Sequence, residues 1–113
     1  MIGALYGDPA RFSDRMLDNY YESWLSPGVR TARLLRASAY MIQDPTETLR
    51  TIQVPTLLVW GEKDWLVPFA TPPARFQSAM PNTMLVSFPG LGHMPQEEDP
   101  VTTVAKVREF LMQ

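Results

Sequence analysis

Two short apolar runs, each stopped at a glycine turn, constrain this chain more than any other feature. Pro55-Thr56-Leu57-Leu58-Val59-Trp60 ends at Gly61, and Met84-Leu85-Val86-Ser87-Phe88 ends at Pro89-Gly90. A strand with one wet face alternates apolar and polar residues. A continuous run reads instead as a strand covered on both faces, as in a parallel sheet. Between the runs, Thr71-Pro72 can start a helix that ends near Met80-Pro81. After the second run a helix is expected from about Pro100 to Met112, with Val101, Val104, Val107 and Leu111 on a broad apolar face. Strand, helix, strand, helix is the βαβα rhythm of an α/β sheet.

Upstream of Pro55 the pattern is helical. Ser13 can cap a helix running to about Leu25, with Met16, Leu17, Tyr20, Tyr21, Trp24 and Leu25 on one face and Asp14, Arg15, Asp18 and Glu22 on the other. Ser26-Pro27-Gly28 breaks the chain, and a second helix is expected over roughly Pro27 to Ile42. Asp44-Pro45 ends it and starts a short helical turn through Leu49. The chain therefore divides into a helical segment, residues 1–50, and a βαβα portion, residues 51–113.

Composition removes several function classes. A formal net charge of -2, carried by dispersed charges without a basic run, argues against nucleic acid and against an anionic membrane surface. No cysteine is present, which excludes disulfides and thiolate metal sites. The single histidine, His93, argues against catalytic zinc, which usually takes two or three imidazoles. No cofactor is implied. The start, MIGALYGDPARF, lacks a basic n-region and a long apolar run, so a cytoplasmic protein without a membrane span is expected.

In open α/β sheets reactive groups gather in the loops that follow the strands. The first such loop carries Asp64 and the second carries His93, one strand-helix-strand unit later. A right-handed crossover places successive parallel strands close together, so the two loops share one edge of the sheet. A carboxylate bonded to one imidazole nitrogen fixes the tautomer and leaves the other nitrogen free as a general base. Beside this pair, Trp65 and Met94 are candidates to line a substrate pocket, with core or rim packing as the competing role. Trp24, in the apolar stripe of the first helix, is a candidate for a pocket wall against the same alternative. Glu97-Glu98-Asp99 reads as a solvated loop that also sets negative charge before the last helix.

"IQVPTLLVWGEKDWLVP", "MPNTMLVSFPGLGHMPQEEDP" and the terminal "VREFL" together resemble the end of an α/β-hydrolase. The similarity is to the branch holding lipase- and esterase-like serine hydrolases, meta-cleavage-product hydrolases and haloalkane dehalogenases. It runs from Ile52 to Leu111 almost without gaps. The resemblance implies a nucleophile-His-Asp triad whose acid, in a G-x-x-D turn, is Asp64 and whose histidine, in a G-H turn, is His93. More loosely, "GDPARF" and "YYESWLSPGVR" resemble the second half of a helical cap over the substrate pocket.

One element of that pattern is missing. The fold runs nucleophile, acid, histidine in chain order, with a serine nucleophile in G-x-S-x-G. Ser13, Ser23, Ser26, Ser38, Ser78 and Ser87 are the serines, and none sits in such an elbow. The expectation is a truncated hydrolase related to enzymes that act on esters or similar small apolar substrates, inactive alone, with a serine or an aspartate nucleophile to be supplied from elsewhere. The alternative is a non-catalytic, oligomerising or partner-binding protein, with a homodimer formed through an exposed strand edge.

Overall fold

The computed structural model describes residues 2–38 and 44–113. Two 3-10 turns, Ile2–Leu5 and Pro9–Arg11, lead into helices α1 (Asp14–Leu25), α2 (Val29–Ser38) and α3 (Thr46–Arg50). Strand β1 (Thr56–Gly61), helix α4 (Pro72–Ala79) and strand β2 (Thr83–Phe88) follow, then a short helix α5 (Pro95–Glu98) and the last helix α6 (Pro100–Leu111). The strands pair in parallel, from Thr56 opposite Thr83 to Gly61 opposite Phe88.

The caps follow local chemistry. The Ser13 hydroxyl accepts from the Met16 amide at 3.3 Å and opens α1. Asp99 accepts from the Thr102 amide at 3.1 Å and opens α6. Prolines occupy the first turns of α4, α5 and α6, where a missing N–H costs nothing. The second helix begins later than expected from Pro27. Gly28 sits at φ 82°, in the left-handed region, so helical backbone starts only at Val29. The expected extension to Ile42 lies outside the described residues.

The largest departure from expectation is burial. Neither strand is covered on both faces: apart from Gly61, every β1 residue is only half-buried. The expected apolar face of α6 is also not the docked one. Val101, Val104 and Leu111 lie exposed, while Thr103 is buried and Val107 and Phe110 are half-buried. The Thr103 hydroxyl donates to the Pro95 carbonyl at 3.0 Å, which turns the Thr103, Val107 and Phe110 side of α6 inward. In α1 and α2, Leu17, Tyr21, Trp24, Leu25, Leu34 and Leu35 are exposed too. Among the described residues the buried apolar set is small: Tyr6, Ala79, Met80 and Leu91, with Pro73 and Pro95. Among the described residues no helix is long and apolar enough to cross a membrane.

Among the described residues neither outer edge of this two-stranded sheet is paired with a further strand, and β1 provides one of them. Thr56 and Glu62 amides donate to the Asn82 and Phe88 carbonyls, so even-numbered residues of β1 turn their main chain toward β2. Leu57 and Val59 therefore turn theirs the other way, where no strand lies among the described residues.

At the other end of the strands, three backbones meet without side chains between them. A Cβ on Gly61 would lie 2.0 Å from the Gly92 carbonyl oxygen, and one on Gly92 would lie 2.4 Å from that of Leu5. Gly61→Ala must therefore force backbone apart. It is expected to lower unfolding free energy by about 3 kcal/mol or more in urea titrations. Gly90→Ala, which meets nothing within 4 Å and needs no unusual φ, is expected to stay within about 0.5 kcal/mol of the parent.

Candidate active site at the strand ends

The loops after β1 and β2 are laced together by main chain. The Glu62 amide donates to Phe88 at 3.0 Å and the Lys63 amide to Leu91 at 2.9 Å. Asp64 follows directly, its own amide donating back to Gly61 at 3.2 Å. Its carboxylate is buried, with the side chain 5% exposed. One oxygen accepts from the Leu66 and Val67 amides, each at 2.9 Å. The other lies 2.8 Å from Nδ1 of His93. A carboxylate accepts only, so the imidazole donates from Nδ1. Nε2, on the far side of the ring, has no partner among the described residues. The ring is 31% exposed, and the main-chain amide of His93 donates to the Leu5 carbonyl at 2.7 Å.

The pair borders a cavity of about 160 Å³, lined by Val59, Trp60, Gly61, Asp64, Val67, His93 and Pro95. Ligand pockets usually span ~300–1,000 Å³, so this cavity is smaller than most. The Trp60 indole braces it by donating to the Val67 carbonyl at 3.1 Å. Among the described residues no group of three acidic or histidine side chains could hold a metal ion.

The other residues singled out in the sequence lie elsewhere, and none of them lines this cavity. Trp65 is exposed, its indole N–H donating to the Ala4 carbonyl. Met94 is half-buried, and its carbonyl accepts from the Glu97 and Glu98 amides at 2.9 and 3.0 Å. Trp24 is exposed on α1, with the Arg33 guanidinium 3.6 Å over its ring.

The acidic triplet is not a solvated loop. Only Asp99 serves as expected, at the start of α6; the Thr102 amide and hydroxyl hold its carboxyl below the usual range. Glu98 is buried and bridges two amides, of Gly92 and Gly7, at 2.7 Å each. Glu97 accepts the hydroxyls of Tyr6 and Tyr20. Charge alone does not mark these roles, and one Glu98 partner is remote: Glu98 and Gly7 are 91 residues apart. The early residues thus pack onto the histidine loop, through Leu5, Gly7 and the Arg11 side chain, which donates to the Glu98 carbonyl at 2.9 Å.

A strand-end aspartate paired to a histidine in the loop after the next parallel strand is the arrangement anticipated from the resemblance. Residues 2–107 match the model of the alpha/beta hydrolase family. The chain belongs to the alpha/beta hydrolase family. Its two parallel strands and flanking helices are part of that fold. The bifunctional esterase/perhydrolase DCH of Acinetobacter calcoaceticus is 32% identical over 100 residues, 85% of this chain and 36% of the esterase. The crystal structure of a serine hydrolase involved in carbazole degradation, the CarC enzyme, superposes with a TM-score of 0.84 at 28% identity, covering 98% of this chain and 44% of that one. A meta-cleavage product hydrolase from Pseudomonas fluorescens IP01 superposes at 0.77 and 21% identity, over 97% of this chain and 42% of its own. The chain thus spans about a third of that curated relative and under half of the solved structures.

Two outcomes follow from the geometry. The single imidazole makes its ring nitrogens readable by 15N NMR without assignment. The neutral ring is expected as the Nδ1–H tautomer, and Asp64→Ala should shift it toward Nε2–H. The second concerns alkali. Burial, then the bond to Glu97, pushes the Tyr20 phenol up to about 12 and that of Tyr6 further still. A pKa raised in the folded state favours folding while the phenol is neutral. That stability is fully present below about pH 10 and is lost as pH rises through the folded values. Thermal unfolding should therefore fall steeply above pH 10, with tyrosinate absorbance rising in step, and Tyr20→Phe should soften the fall.

Proposed function

We propose that Asp64 and His93 are the acid and the base of a nucleophile-His-Asp hydrolase site for esters or similar small apolar substrates, the nucleophile lying outside these 113 residues. The observation that carries this reading is the Asp64–His93 contact of 2.8 Å, made by a carboxylate whose other oxygen is already held by two amides. In this reading Asp64 orients the ring and stabilises the imidazolium, while Nε2 takes the proton of an attacking hydroxyl. With a carboxylate nucleophile, Nε2 would activate water instead. Kinship with an esterase/perhydrolase and a serine hydrolase supports the substrate class. The small cavity would hold the reacting group, and Trp24, Trp65 and Met94 would meet substrate only at a larger pocket completed by other residues.

The isolated chain is expected to hydrolyse p-nitrophenyl acetate no faster than its His93→Ala variant, since triad members act as a unit. Joined in frame behind the part of the Acinetobacter esterase that it does not align with, it should support ester hydrolysis. There His93→Ala should cost at least ~10³-fold in kcat/KM and Asp64→Asn on the order of 10²–10⁴-fold. An active chimera indifferent to His93→Ala would sink the assignment.

The open edge of β1 favours a second reading, a non-catalytic protein that pairs this edge with a second copy. Sedimentation equilibrium decides it: a monomer across the accessible concentration range ends that reading.

A further inference from the structure

Glu98 is a buried carboxylate that the proposed chemistry does not use, and it pairs with no cation among the described residues. Its two oxygens instead take two amides, Gly92 and Gly7, each at 2.7 Å. Hydrogen bonds from amides to an ionised carboxylate are short and about twice as strong as neutral ones. The two amides belong to backbones in direct contact, since a Cβ on Gly92 would fall 2.5 Å from the Gly7 nitrogen. The residue after Gly92 is His93, whose own amide donates across the same contact to Leu5. Glu98 is itself fixed at both ends of its main chain. Its amide donates to Met94 at 3.0 Å, and its carbonyl accepts from Arg11 at 2.9 Å.

From this arrangement we infer that Glu98 is a positioning residue for His93. It clamps the backbone on the N-terminal side of the histidine against the Leu5–Gly7 segment. The clamp sets the direction in which the imidazole leaves the loop, and so its alignment with Asp64. This deepens the proposed function and rests on the reading of His93 as the base. A neutral isostere cannot do the same. A glutamine accepts one amide through its oxygen but turns an NH₂ toward the other, donor against donor.

The test uses the chain itself and its one imidazole. Glu98→Gln, checked for retained circular dichroism and cooperative unfolding, should speed exchange of the His93 Nδ1–H proton with water. The expected factor is about ten- to a hundredfold, corresponding to the loss of one charge-assisted hydrogen bond. Arg11→Ala, which frees only the Glu98 carbonyl, should give a smaller change in the same direction. Asp64→Ala separates this inference from the one beneath it. If Asp64→Ala alters the ring signature and a folded Glu98→Gln does not, the clamp is overturned and the Asp64–His93 pair stands. If Asp64→Ala leaves the ring unchanged, both fall. Should Glu98→Gln not fold, the unsubstituted protein decides through scalar coupling across the hydrogen bond from the Gly92 nitrogen to the Glu98 carboxyl carbon. That coupling is expected, and its absence overturns the assignment.

Discussion

The close approach of Gly61 to Leu91 and Gly92 governs how near the two strand-end loops can come. Hydrogen bonds from Glu62 and Lys63 draw the loop after β1 onto the chain after β2, and they can form only because no Cβ stands between the backbones. Asp64 lies three residues beyond Gly61, and His93 follows Gly92 directly. With arms this short, the separation of the glycines passes almost undiluted into the separation of carboxylate and imidazole. The same contact continues outward through Gly92 to Leu5 and Gly7. The order of the early residues and the order of the histidine loop are thus one physical fact.

Two buried carboxylates flank this contact, and both are satisfied mainly by amides. Burying an unpaired charge costs several kcal/mol, so each carboxylate requires its donors to be held in place. Asp64 divides its oxygens between two tasks. Oδ1 gathers the Leu66 and Val67 amides into a local turn, which is what an aspartate after a strand does on any surface. Oδ2 is then left rigidly aimed at His93. The turn and the contact with His93 do not compete, because the turn is what aims the second oxygen. Glu98 instead joins a near partner, Gly92, to one at the far end of the chain, Gly7.

That difference accounts for what is legible in the sequence. The strands are legible because apolar runs this short, bounded by glycine and proline, fit little else than a strand in a sheet. Asp64 and His93 are legible because each sits within three residues of a strand-ending glycine turn. The start of α2 is not, since nothing in Pro27-Gly28 announces that the glycine adopts φ 82°. Burial misleads in the same way on several elements. Val101, Val104 and Leu111 have the spacing of a docked face, yet a hydroxyl bond from Thr103 to Pro95 decides which side of α6 turns inward. Three consecutive acidic residues look solvated on charge alone. The tyrosines that absorb Glu97 and one of the two amides that absorb Glu98 come from residues 6, 20 and 7, invisible to any local window.

The open edge of β1 links the two functional readings, because it can be used only once. The main-chain groups of Leu57 and Val59 can pair with a single strand. In the CarC enzyme this chain superposes on 44% of the molecule, so more than half of that fold lies outside the matched part. If further hydrolase strands extend the sheet from β1, they take this edge and bring their own loops toward the strand ends where Val59, Gly61, Asp64 and His93 line the cavity. If a second copy takes the edge, those strands are excluded, and the cavity of about 160 Å³ that His93 lines receives no loops from them. On that arrangement, the proposed catalysis and self-pairing through β1 exclude each other in one molecule.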